Sequence, residues 1–170
     1  MLLQKTDYQE LISDIYTKPI NGQIFVHILD KTHDKQSLIE KIEYKMTWKS
    51  FTVNQEIDEH CVDSPIELRI QPPIEQWLNA FQQAQIIITD SFHATVFSIL
   101  FNKTFIVYAN EQRGSARFKS LLSMFNLDSR IIASSDQFKE EMLEPIDFTE
   151  TNLKLDMLRK HSIDFLFQYI

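Results

Sequence analysis

An α/β fold around a mostly parallel sheet is what this sequence predicts, and three observations carry the prediction. Short runs rich in β-branched and aromatic residues alternate with stretches whose apolar residues fall three and four apart, the two periods of strand and helix. The runs at 23–30, 86–89 and 104–108 are apolar nearly throughout rather than on alternate residues, as suits strands buried on both faces of a parallel sheet. Helical stretches, not two-residue hairpin turns, separate the runs, and parallel strands joined by helical crossovers are the economical way to close that alternation.

The elements follow in order. Residues 1–21 read as an entry helix and linker: Thr6 or Asp7 caps it, Tyr8, Leu11, Ile12 and Ile15 form its stripe, and Pro19 ends it. The strand over 23–30 comes next, then an amphipathic helix over 34–44 with Leu38, Ile39 and Ile42 on one face, then a second strand over 49–53. Residues 54–72 are polar and irregular, a long surface loop with a short strand near 66–70. Pro73 suits the first position of a helix, where its fixed φ is helical and no N–H is needed; Ile74, Trp77, Leu78 and Phe81 form that helix's stripe. The strand over 86–89 then runs directly into a helix ending near Phe101, with Asp90 and Ser91 both good N-caps. A strand over 104–108 leads into a loop over 109–116 that carries Arg113 and Gly114. A helix from Ser115 or Ala116 to Phe125, a short strand at Ile131 and Ile132, and a long helix over 149–168 complete the chain. Leu153, Leu155, Met157, Leu158, Ile163, Leu166 and Phe167 are the apolar residues of that last helix. The whole reads as one domain over 1–170, with 22–148 as its α/β core.

Composition excludes several function classes. The 170 residues suffice for one domain with a real core. Two glycines argue against a Gly-rich phosphate loop. A net charge of −7 disfavours nucleic acid as a partner, because duplex binding draws on clustered Lys and Arg. The single cysteine, Cys61, rules out an internal disulfide and a cysteine-rich zinc site, and reads as a structural thiol in a reducing compartment. No apolar run approaches the roughly 18 residues of a membrane span, and no signal-peptide core follows Met1-Leu2-Leu3. The expectation is a cytoplasmic protein with no metal and no cofactor.

The polar residues Thr89, Asp90, Ser91 and His93 sit where a strand meets a helix, and open α/β sheets bind ligands outside the carboxyl ends of their strands. His93 falls in the first turn, beside free backbone N–H groups and the positive end of the helix dipole, a place that suits a phosphate or carboxylate. An imidazole there can also move a proton near neutral pH; the plain alternative is a histidine packed and hydrogen-bonded in the core. Asp90 reads first as a helix cap and second as an acid or base. Ser91 can cap or bind a ligand oxygen, and no Gly-x-Ser-x-Gly elbow surrounds it. Arg113 and Arg117 flank Gly114 and could clamp phosphate or carboxylate oxygens in a bidentate fashion, unless they are only surface charges. His27, His33, His60 and His161 read as structural or surface residues. The run Asp58-Glu59-His60 has no metal-ligand spacing, since three consecutive side chains do not converge on one ion.

With these residues in hand, the chain resembles the polysaccharide pyruvyl transferase family. The resemblance lies in Pro73-Ile74-Glu75-Gln76-Trp77-Leu78, in residues 84–105 centred on Thr89-Asp90-Ser91-Phe92-His93, in Arg113-Gly114-Ser115-Ala116-Arg117-Phe118-Lys119-Ser120-Leu121-Leu122 and in Phe125-Asn126-Leu127, about residues 72–132 together. It implies a Rossmann-like three-layer αβα domain similar to the C-terminal half of a two-domain (GT-B) glycosyltransferase, with an N-terminal half that supplies the acceptor side lying outside this chain. It implies transfer of a pyruvyl group from phosphoenolpyruvate to a sugar hydroxyl of a cell-surface polysaccharide, and little activity for the half alone. It also implies a donor site at Ser91, Phe92 and His93, with His93 protonating the donor's methylene carbon or steadying its anionic groups, and Arg113 and Arg117 holding phosphate or carboxylate. Two positions depart from the family pattern: Ala94 stands where glycine is usual and Thr104 where proline is usual. The methyl of Ala94 is expected to stand where a backbone approaches the donor. A nucleotide-sugar glycosyltransferase and a non-catalytic binding module are the other readings of the same architecture.

Overall fold

A computed structural model describes residues 2–13, 20–53, 70–109 and 114–168. Five strands, β1 (Ile24–His27), β2 (Ser50–Phe51), β3 (Ile86–Thr89), β4 (Thr104–Tyr108) and β5 (Ile131–Ile132), pair in the order β2-β1-β3-β4-β5, every pairing parallel. Ile24 lies beside Ile86 and Ile86 beside Thr104, while His27 lies beside Thr89 and Thr89 beside Val107. The three central strands therefore start level, and β1 and β3 finish level with β4 one residue longer. Their side chains alternate between two apolar layers: Phe25, Ile87, Phe105 and Val107 enter one, and Ile24, Ile86, Ile88, Ile106 and Tyr108 the other. Both layers are covered, which is why these runs are apolar at every position.

Helices α1 (Lys5–Ser13), α3 (Ile74–Gln83), α4 (Phe92–Leu100) and α5 (Ser115–Met124) bury residues in the first layer, joined by Leu155 of α6 (Thr149–Phe167). Helix α2 (His33–Met46) buries Leu38, Ile39 and Ile42 in the second. The connection through α2 steps from β1 outward to β2, whereas those through α3, α4 and α5 step the other way along the sheet. Right-handed crossovers place such opposite steps on opposite faces. The result is a Rossmann-like three-layer sandwich whose direction reverses between β1 and β3, the switch point where ligands of open α/β sheets bind.

Several boundaries differ from the sequence reading. Helix α1 begins at Lys5, so Thr6 and Asp7 lie inside it, and the Asp7 carboxylate accepts the Gln4 N–H at 2.6 Å from within the first turn. Thr32 caps α2, its hydroxyl accepting the Lys35 N–H at 3.3 Å. Pro73 is the N-cap of α3 rather than its first residue. The runs at 23–30 and 49–53 pair over only four and two residues. Three short 3-10 turns, Asp128–Arg130, Ser135–Gln137 and Glu140–Leu143, have no counterpart in the sequence reading. One turn is too short to show a period, yet Phe138 and Met142 beside these turns help to close the second layer. The Ser135 turn is tied to α2 by Asp34, whose carboxylate accepts from the Ser135 N–H at 2.9 Å and from the hydroxyls of Ser135 and Tyr108. Burial, with Asp34 beside it, pushes the Tyr108 hydroxyl up to about 12.

Helix α6 forms over the span expected of it, to within one residue. Of its apolar residues, Leu155 is buried and Ile163 half-buried, whereas Leu153, Met157, Leu158, Leu166 and Phe167 are exposed. The helix meets the body along the line Thr151, Leu155, Arg159, and no later residue of it is buried. The expected loop with its strand near 66–70, Cys61, the Asp58-Glu59-His60 run, Ile15 and Pro19 lie wholly or mainly outside the described residues.

Candidate functional site

The level ends of β1 and β3 set the site's floor. The Thr89 hydroxyl donates to the His27 carbonyl at 2.7 Å and accepts the Ser91 N–H at 3.0 Å, so one buried side chain closes the ladder and starts the turn. Ser91 is the N-cap of α4: its backbone is extended (φ −96°, ψ 129°) and its hydroxyl accepts the Ala94 N–H at 3.4 Å. The Ser91 carbonyl accepts the Thr95 N–H at 3.0 Å and the Thr95 hydroxyl at 2.9 Å.

Asp90 does not cap this helix. It continues the alternation of Ile86 and Ile88 and so points toward the layer of α2. There its carboxylate accepts the backbone N–H groups of Leu29 at 2.7 Å and Asp30 at 3.0 Å, and pairs with the Lys35 ammonium at 2.7 Å. The two side chains are 2% and 5% exposed. Lys35 also donates to the Asp30 carbonyl at 2.7 Å and lies 5.3 Å from the centre of the Tyr108 ring. The sequence reading missed Lys35, although a signal was present: it falls three, four and seven residues before Leu38, Ile39 and Ile42, a charge on an apolar stripe.

His27 is buried, and its Nδ1 accepts the Trp77 indole N–H at 3.3 Å. Burial holds its pKa below the ordinary histidine value, against a smaller upward pull from Asp90. A neutral imidazole accepting at Nδ1 carries its proton on Nε2. This fits the structural role expected of it.

His93, two residues past the cap, is exposed. Its neighbour Phe92 stands edge-on to Phe118, ring centres 5.8 Å apart, and 6.2 Å from the His93 ring. The Arg117 guanidinium lies 5.2 Å from the Phe92 ring centre, within cation–π range. The first turns of α4 and α5 thus bring His93 and Arg117 to one aromatic ring. Gly114, the N-cap of α5, has φ 86° and ψ 65°, and a Cβ there would meet nothing within 4 Å. The backbone angle, not space, calls for glycine at that position. Arg113 lies outside the described residues.

Ala94 overturns an expectation. It is fully buried in the first layer, so its methyl faces the core and not the crevice. The imidazole, a guanidinium and the N-termini of two helices thus lie at one edge, groups whose chemistry suits an anion and a proton transfer. Among the described residues no group of three or more His, Cys, Asp or Glu could hold a metal ion, and no helix is long and apolar enough to cross a membrane.

A family model described as polysaccharide pyruvyl transferase matches residues 4–112, well over half of the chain. The match begins ahead of the blocks that carry the resemblance, taking in β1, α2 and Lys35 as well as the turn at 89–93, and it ends before Arg113 and Arg117. No curated protein and no solved structure matches the chain.

Proposed function

The chain belongs to the polysaccharide pyruvyl transferase family, and on that footing we propose that it is the donor-binding half of a transferase that moves a pyruvyl group from phosphoenolpyruvate to sugar hydroxyls of a cell-surface polysaccharide. The observation that carries this reading is the exposed His93 imidazole in the first turn of α4, at the switch point, with Arg117 on the same Phe92 ring. Phosphoenolpyruvate presents a phosphate and a carboxylate close together, and helix N-termini favour both. Arg117 offers a fork of donors to either group, with Arg113 as a second guanidinium. Ser91 holds the turn, and Phe92 sets the distance between imidazole and guanidinium.

In this reading His93 gives a proton to the methylene carbon of the donor. The adjoining carbon becomes electron-poor and takes one sugar hydroxyl, and a second hydroxyl displaces phosphate to close the ketal. Of the two protons that leave the sugar hydroxyls, one replaces the proton that His93 gave to the methyl group and the other departs with inorganic phosphate. The acceptor side of the cleft comes from a second Rossmann-like half of the GT-B kind, and the reaction is placed in the cytoplasm.

Calorimetric titration of phosphoenolpyruvate into the full-length enzyme tests the assignment. His93→Ala is expected to weaken donor binding by about tenfold or more, the scale of one lost charge-assisted hydrogen bond, and to lower turnover further. Equal affinity and turnover in the two proteins would remove His93 from the site. Thermal stabilisation by nucleotide sugars and not by phosphoenolpyruvate would replace the donor. Strong turnover by the 170-residue chain alone would overturn the half-cleft.

A further inference from the structure

The buried pair behind the turn does more than fill space. Asp90 belongs to the β3–α4 turn, whereas Leu29, Asp30 and Lys35 belong to the loop and first helical turn after β1. Asp90 accepts from both backbone N–H groups of that loop, and Lys35 donates to Asp90 and back to the Asp30 carbonyl, each at 2.7 Å. Carboxylate, ammonium and loop backbone close a ring that spans the switch point. The stem of Lys35 is fixed by α2, whose Leu38, Ile39 and Ile42 are buried against the sheet. A buried ammonium is costly unless it is paired, and a well-packed apolar pair often holds two segments as stably. What the ion pair adds is direction, because the carboxylate has one orientation that satisfies all three donors.

We infer that Lys35 is a positioning residue for the donor turn: by clamping Asp90 to the β1–α2 loop it holds the cap and first turn of α4, and with them His93, at the switch point. The inference rests on the donor site proposed above, but its structural half can be read without any substrate. Asp90 fixes the backbone one residue before the Ser91 cap, and His93 follows two residues later. Loosening the clamp moves the imidazole relative to Arg117 without touching either.

The experiment compares wild type with Lys35→Met and with the neutral pair Lys35→Met/Asp90→Asn. The single variant leaves a buried carboxylate unpaired and can fail to fold; the double variant carries no charge behind the turn and decides the question. The double variant is expected to melt within about 5 °C of wild type. Its amides over 91–95 are expected to exchange about tenfold faster while those of Ile87 and Ile106 keep their protection. In the full-length enzyme the KM for phosphoenolpyruvate is expected to rise about tenfold and kcat to fall with it, because the imidazole that the clamp positions also gives the proton. Wild-type exchange over 91–95 with an unchanged KM overturns the inference, and so does faster exchange spread evenly over the sheet, the mark of a merely structural pair. If the wild type does not bind phosphoenolpyruvate, the donor reading fails, and the exchange pattern still decides the clamp.

Discussion

Asp90 and His93 stand three residues apart in one turn and have opposite surroundings. Asp90 is buried, with three donors on its carboxylate, one of them a lysine; His93 is exposed beside Phe92 and Arg117. The difference follows from backbone geometry. Asp90 extends the two-residue alternation of β3 into the α2 layer, whereas His93 falls on a helix whose buried positions are Ala94, Thr95, Ser98, Ile99 and Leu100. A carboxylate at a strand-to-helix junction is here a piece of scaffold, and the scaffold leaves the imidazole three residues later in solvent. Substituting each to alanine is the most direct way to break this contrast. Asp90→Ala strands the Lys35 ammonium and is expected to cost about 3–5 kcal/mol, whereas His93→Ala is expected to stay within about 0.5 kcal/mol. Urea denaturation of both variants measures it, and similar losses would mean that the turn is not divided in this way.

How much of this was legible in the sequence depends on how local the cause is. Strands β3, β4 and β5 and helices α4 and α5 could be read almost to their ends, because an apolar run or a three-to-four spacing is written into the residues themselves. The placing of the turn between β3 and α4 followed from those elements. The role of Asp90 did not, because its partners Leu29 and Asp30 lie 61 and 60 residues away and only the parallel pairing of β1 with β3 brings them near. Capping was the best local guess, and a non-local bond won. Lys35 is an intermediate case: its place on an apolar stripe announced that it needed a counter-ion, but not which one. Helix α6 was legible as a helix, but its packing was not. A count of apolar residues does not say whether a neighbouring element covers them, and Met157 and Phe167 have no such cover among the described residues.

Ala94 sharpens the contrast at smaller scale, because it adjoins His93 yet points the opposite way. Glycine at this position restores the residue usual in the family but removes a buried methyl and adds backbone freedom to a helix. Ala94→Gly is expected to cost about 1–2 kcal/mol of stability and to leave the affinity for phosphoenolpyruvate unchanged. Melting curves and a donor titration check both parts. Tighter donor binding would mean that the first turn of α4 presents residue 94 to the ligand after all.

The smallest expected effect uses the other histidine at this edge. His27 is buried where His93 is exposed, and burial lowers its pKa below the ordinary 6.5, with Asp90 opposing. The native protein therefore binds this proton less readily than the unfolded chain does. Above about pH 6.5 neither state is protonated and the full stability is present; as pH falls below that value the unfolded chain takes up the proton first, and stability falls until the native pKa is reached. His27→Asn keeps an oxygen for the Trp77 N–H and removes the titration. Its melting temperature is expected to fall less steeply than that of wild type between pH 7 and 5. Asp34 and Asp147, whose carboxyls are held below their ordinary value of 3.8 by hydrogen bonds, lose their contributions only at lower pH and leave this window clear. In Asp90→Asn the upward pull on His27 is gone, so the wild-type slope should extend to lower pH. An unchanged slope in His27→Asn would mean that burial at the end of β1 does not set the acid sensitivity, and the division between a buried scaffold histidine and an exposed one would lose its thermodynamic side.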